Sequence, residues 1–99
     1  MYKDVINYKL AEWVTLEHLY EVGKKVHEER MSKQEGFIKW EIHTDEDGEY
    51  FDLVHRTSKE AADKANEAMS DVPSSAARFA CYDMTSINSK GLICIKTFE

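Results

Sequence analysis

The 99-residue sequence predicts an α+β domain whose elements run β-α-β-β-α-β. Three stretches carry that prediction. Between Gly36 and Arg56, two runs rich in β-branched and aromatic residues flank a polar turn that ends in Asp47-Gly48, the pattern of a β-hairpin. Before it, from Leu16 to Gln34, apolar residues recur at helical spacing; after it, from Ala61 to Met69, a stripe of alanines does the same.

In chain order, Val5 to Trp13 carries apolar groups on both parities, so both faces of a first strand are expected to be covered. Thr15 supplies an N-cap oxygen, Glu17 sits where the helix dipole favours a negative charge, and Val14 can staple against Leu19. On a wheel of ~100° per residue, Leu16, Leu19, Tyr20, Gly23, Val26, His27, Arg30, Met31 and Gln34 share one face. Gly36 stands where a left-handed cap stops the helix.

In the hairpin an even-numbered loop is expected, because a three-residue loop with a bulge at Gly48 would mix apolar and polar side chains on both faces. Ile38, Trp40, Ile42, Phe51, Leu53 and His55 then share one face. Phe37, Lys39, Glu41, His43, Tyr50, Asp52, Val54 and Arg56 take the other. Thr57 and Glu60 have capping-box spacing and open a second helix with Ala61, Ala62, Ala65, Ala68 and Met69 on its buried side. Asp71-Val72-Pro73 ends it, and Ser74 or Ser75 caps a short helix through about Tyr82. Thr85 to Lys90 reads as a loop, and Leu92 to Phe98 as a last strand buried on both faces.

This order is the ferredoxin-like arrangement, an antiparallel sheet with its helices on one face. The whole chain, 1–99, is read as a single domain. With apolar residues on both parities of the outer strands and only modest helices, the open face is expected to pack against a second copy, giving a homodimer.

Composition narrows the partners. The net charge of -6, with no basic run longer than Lys24-Lys25, argues against nucleic acid. No apolar run approaches the ~20 residues of a membrane span, and Met1-Tyr2-Lys3-Asp4 leads into a strand rather than a signal peptide, so a cytoplasmic protein is expected. Cys81 and Cys94 lack metal or redox spacing and read as reduced thiols.

Four features together resemble the dimeric α+β-barrel superfamily, and within it the antibiotic-biosynthesis-monooxygenase-like proteins. They are Gln34-Glu35-Gly36-Phe37 at the end of the first helix, Glu41 in the second strand, the acidic Asp47-Gly48 turn, and the junction Arg56-Thr57-Ser58-Lys59-Glu60-Ala61. The resemblance implies a dimer and a cofactor-independent oxygenase or a haem-degrading activity. It also implies an Asn on the first strand, a Trp on the second helix and, for haem, a His on the following helix. Asn7 matches the first; Ala62 to Asn66 holds no Trp, and Ser74 to Asp83 holds no His, so haem degradation is not expected.

Among polar residues, His27 on an apolar helix face must either bond within the core or line a pocket, where Gly23 one turn earlier leaves room. Arg30, its i+3 neighbour, either pairs with a carboxylate or binds an anionic or carbonyl group alongside Trp40. His55 on the apolar parity is either a satisfied core histidine or a proton-transfer group. Asn7, His27 and His55 are therefore the candidate catalytic groups, and Arg30 and Trp40 the candidate ligand contacts. No metal site is expected, because His55 falls on the opposite parity from His43, Glu41 and Asp52. No cofactor is called for. Two functions follow: an oxygenase-like or isomerase-like enzyme acting on a small apolar or carbonyl-bearing molecule, or a non-catalytic dimer that binds a ligand or protein.

Overall fold

Strand β1 (Tyr2–Leu10) lies inside a four-stranded antiparallel sheet of order β2-β3-β1-β4, with β2 at Phe37–Thr44, β3 at Tyr50–Arg56 and β4 at Tyr82–Ile93. The structure is a computed structural model that describes residues 1–69 and 73–99, and only the backbone of 68, 69 and 73–75. Helix α1 (Leu16–Glu29) is followed by a 3-10 turn at Met31–Lys33, and α2 (Lys59–Met69) and α3 (Pro73–Phe79) separate β3 from β4. The expected break at Asp71-Val72 and the capping by Ser74 or Ser75 lie outside the described residues. The element order and antiparallel sheet are those of the ferredoxin-like fold.

Helix α1 begins as its sequence dictates, with the Thr15 hydroxyl accepting from the backbone N–H of His18 at 3.1 Å. Its buried stripe is Leu19, Val22, Gly23 and Val26, so the helix is rotated from the expected face. Tyr20 is 55% exposed, and His27 is exposed rather than buried. Gly36 adopts φ +83 after the 3-10 turn, where a Cβ would stand 2.7 Å from both Ala61 and Thr57. Glycine is needed there both for its backbone angle and for the approach of α2.

The hairpin corrects the expected register. Thr44 pairs with Tyr50, leaving the loop 45–49, an odd number of residues, and Trp40 faces Val54 while Ile42 faces Asp52. The cause is local. The Asp45 carboxylate accepts from the backbone N–H of Asp47 at 2.9 Å and of Glu49 at 3.0 Å, and Gly48 takes φ +81. A register shift between Phe37 and Lys39 then returns Phe37 to Trp40's face. Asp52, Val54 and Arg56 therefore turn toward the helices, whereas Phe51, Leu53 and His55 turn away from them.

Strand β4 is the second correction. The polar run Thr85 to Lys90 is strand, not loop, because β4 is an edge strand whose outward side chains meet solvent; polarity there reports exposure rather than chain reversal. Its register against β1 shifts between Asn7 and Lys9, where the Ser86 hydroxyl accepts from the Lys9 N–H at 2.8 Å. The strand ends at Ile93, opposite Tyr2, with the Cys94 N–H donating to the Met1 carbonyl at 3.3 Å, so the expected strand does not continue through Phe98. Ile95 and Phe98 are 94% and 85% exposed. Likewise β1 spans Tyr2–Leu10, leaving Trp13 outside the sheet and 61% exposed.

Two apolar clusters join helices to sheet. Leu19, Val22 and Cys81 pack with Leu10, Val14 and Ile42; Val26, Met31 and Val54 pack with Phe37 and Trp40. The face away from the helices carries Val5 opposite Leu53 and Asn7 opposite Phe51, with Leu92 opposite Lys3. Among the described residues, no helix is long and apolar enough to cross a membrane.

Candidate functional site

Between the helices and the sheet lies a cavity of ≈ 430 Å³, within the range that holds small molecules. Its walls are mainly apolar and aromatic: Ile6 from β1, Val26 from α1, Trp40 and Val54 from the hairpin, and Phe79, Tyr82 and Ile87 around α3 and β4. Two carboxylates and two guanidiniums reach it, Asp52 with Arg78 and Asp4 with Arg56.

Asp52 is 1% exposed and fully engaged. Its Oδ1 accepts from the Tyr8 hydroxyl at 2.6 Å, and its Oδ2 accepts from Arg78 Nη2 at 2.8 Å and from the Tyr82 hydroxyl at 3.1 Å. Alternation along β1 and β3, with Tyr8 and Asp52 both on the helix side, brings these groups together. Burial raises the Asp52 pKa above its usual value, and Arg78, the two hydroxyls and the Trp40 N–H pull against that rise. Burial works against the Arg78 cation, but Asp52, Tyr82 and Tyr8 together outweigh it and the guanidinium stays protonated. Both tyrosines are pushed up, first by burial and then by Asp52, so they remain donors.

The Arg78 guanidinium lies 5.1–5.6 Å from the ring centroids of Tyr8, Trp40 and Tyr82. Its Nε and Nη1, and the indole Nε1 of Trp40, are buried and make no hydrogen bond of full geometry among the described residues; the Trp40 N–H leans on Asp52, and Arg78 on the Cys81 thiol. Native interiors rarely leave buried donors with only such weak contacts, and they mark places where an oxygen atom can be taken up. Trp40 is held from behind by Gly23, where a Cβ would meet the indole at 3.4 Å.

Asp4 stands at the other end of the cavity in a looser setting. Arg56 Nε is 3.5 Å from Asp4 Oδ2, close enough for Coulombic attraction but outside hydrogen-bond geometry. The Arg56 side chain is fixed instead by Nη1 donating to Gln34 Oε1 at 2.8 Å. Burial raises the Asp4 pKa, more than Arg56 lowers it. Gly91 faces Asp4 across the β1–β4 ladder, and the Tyr2 ring lies directly over it.

Of the five residues singled out by sequence, Trp40 lines the cavity and the other four do not. Asn7 points to the open face, its amide donating to Glu49 at 3.2 Å and to the Tyr50 carbonyl at 3.1 Å. His27 is exposed with its ring 5.6 Å from that of Phe37, and the space expected beside Gly23 is filled by Trp40. Arg30 lines a separate surface groove with Gln34 and Lys64. His55 lies on the open face, where its Nε2 donates to Glu41 at 2.9 Å and lowers that carboxyl's pKa. The parity argument about these residues is thereby reversed, since His43 also approaches Glu41, at 3.6 Å, while Asp52 lies on the opposite face. Among the described residues no group of three or more His, Cys, Asp and Glu could hold a metal ion.

Sequence reasoning missed Asp4, Asp52, Arg56, Arg78 and the tyrosine pair. A signal existed for two of them. Asp52 is a lone acid inside Tyr-Phe-Asp-Leu-Val, and Arg78 a lone base inside Ala-Ala-Arg-Phe-Ala; an isolated charge in an apolar run demands a buried partner.

The sequence matches no family model and no curated protein. By structure, the chain has the fold of antibiotic-biosynthesis-monooxygenase-like proteins. It is similar to SnoaB, a cofactor-independent oxygenase from Streptomyces nogalater, at 14% identity and TM-score 0.77, over 97% of this chain and 94% of that one. It is also similar to Rv0793 from Mycobacterium tuberculosis, at 10% identity and TM-score 0.68, over 99% and 98% of the chains. A third is the monooxygenase from the gene ActVA-Orf6 of Streptomyces coelicolor, in complex with nanaomycin D, at 11% identity and TM-score 0.63, over 99% and 90%. At these identities the likeness is one of fold.

Proposed function

We propose that this chain is a cofactor-independent, oxygenase-like enzyme acting on a small, largely apolar, carbonyl-bearing molecule held between helices and sheet. The observation that carries this is the set of weakly partnered donors of Trp40 and Arg78 in the wall of an apolar cavity. An enolate oxygen placed against those donors would satisfy them, and their charge and dipoles are already oriented where negative charge develops. The enolate is the electron-rich species that dioxygen oxidises: a CH₂ next to the carbonyl and one O₂ give C=O and one water. Fold likeness to oxygenases supports the reading by analogy. Asn7, His27 and His55, all outside the cavity, have no part in it.

The test is dioxygen uptake with 2-tetralone, an enolisable bicyclic ketone, as substrate. Uptake matched by formation of the benzylic diketone is expected, and Trp40→Phe, which keeps the ring but loses the N–H, slows it by about tenfold or more. No uptake above the uncatalysed rate, together with no binding of 2-tetralone, removes the proposal.

We also propose that the chain works as a homodimer closed on the open sheet face, where Val5, Phe51, Leu53 and the 46%-exposed Leu92 lie together. The exposed Ile95 and Phe98 beyond β4 add apolar surface for a partner to cover. Light scattering should give twice the chain mass of 11.5 kDa at micromolar concentration; a stable monomer contradicts it.

A further inference from the structure

We infer that Asp4 is the general base of the cavity, the group that takes the proton when the bound ketone becomes an enolate. This rests on the proposed reading of the cavity as a site for a carbonyl-bearing molecule, and assigns the step that reading leaves without a residue. Two carboxylates line the cavity, and geometry separates them. Asp52 is enclosed by four donors, Tyr8, Tyr82, Arg78 and, more weakly, the Trp40 N–H, which leaves it little capacity to accept from a ligand. Asp4 is held more loosely: Arg56 Nε at 3.5 Å and the Tyr2 hydroxyl lean on it, and its side chain is 17% exposed, so a proton taken there can pass on to solvent.

The positions complement each other. Arg78 and Trp40 offer donors to a ligand oxygen, and Asp4 offers an acceptor across the same cavity. In the step, the C–H bond beside the carbonyl breaks, its electron pair moves into the C–C–O system as enolate, and the proton goes to an Asp4 oxygen. Arg56 and the Tyr2 hydroxyl keep the ionised base in place through long contacts. Burial raises the Asp4 pKa, which makes the carboxylate a stronger base than one in water. The charged and titratable groups around it are Arg56 on β3, Tyr2 on β1, Asp63 on α2, and Lys90 at the β4 edge of the cavity.

Proton removal can be read without oxidation. In D₂O under nitrogen, the full chain should catalyse exchange of the benzylic protons of 2-tetralone, followed by proton NMR, with binding measured separately by calorimetry. Asp4→Asn should bind 2-tetralone within about threefold of wild type yet lose about a hundredfold or more of the catalysed exchange, and Asp4→Glu should restore part of it. The catalysed rate of the wild type should rise with pH through an apparent pKa above 3.8 and then level off. Asp4→Asn that binds and still exchanges overturns the assignment. Should Asp4→Asn not fold, the wild-type profile decides, and a catalysed rate independent of pH overturns it. 2-Tetralone that binds but exchanges only at the background rate removes the base and leaves the binding site standing. 2-Tetralone that does not bind removes both.

Discussion

Asp52 and Asp4 face the same cavity from neighbouring strands, yet their surroundings divide the work. Asp52 is surrounded by donors and serves to hold a buried cation in place; Asp4 has only the long contacts of Arg56 and the Tyr2 hydroxyl and is open to the cavity. Burial raises the pKa of both, so the shift alone does not tell them apart. What differs is whether lone pairs are spoken for. A carboxylate inside a protein is available for chemistry only if the groups that stabilise it leave an oxygen unoccupied.

The comparison is broken most severely at Arg78. Arg78→Met leaves Asp52 buried without its cation and should lower stability by about 3–5 kcal/mol, measured by urea unfolding. A loss under about 1 kcal/mol would mean that the two tyrosines suffice. Asp4→Asn should cost far less, about 1 kcal/mol or under at neutral pH, because burial already penalises the charge it removes and Arg56 keeps Gln34.

Acidity gives a second test. Both carboxyls have folded pKa values above the usual 3.8, so the folded state binds more protons than the unfolded one. The stability they add is fully present below 3.8 and is lost as pH rises through the raised values. Melting temperature should fall with pH across that window, and the fall should be shallower in Asp4→Asn. An unchanged slope would assign the whole effect to Asp52. The smallest change is expected for Gly23→Ala, whose Cβ meets the Trp40 indole at 3.4 Å; a melting shift of about 2 °C or less, with weaker 2-tetralone binding, would show that the indole's position matters more to the site than to the fold.

The sheet and its helices were legible because patterning and capping are local: Thr15 caps α1, and the hairpin strands and both helices fall close to where periodicity puts them, although α1 buries a rotated face. The site was legible only at Trp40. Its other members depend on register, and register depends on how Asp45 folds the hairpin loop, a side-chain hydrogen bond with no periodic signature. Strand β4 was misread for a related reason: its exposed edge looks polar, as a loop does.

The loop 45–49 is solvent-exposed and far in sequence from Asp4 and Arg78, yet it sets which half of β3 faces inward. Side chains on a strand alternate, so removing a single loop residue is no minor trim. Unless the loop re-forms around the gap, β3 is offered to β2 one step out of phase, presenting Leu53 and His55 to the interior and Asp52 and Arg56 to the outside. In a scan of single-residue deletions, this surface turn should behave like the cavity wall, while nearby point substitutions that spare Asp45 and Gly48 pass almost unnoticed.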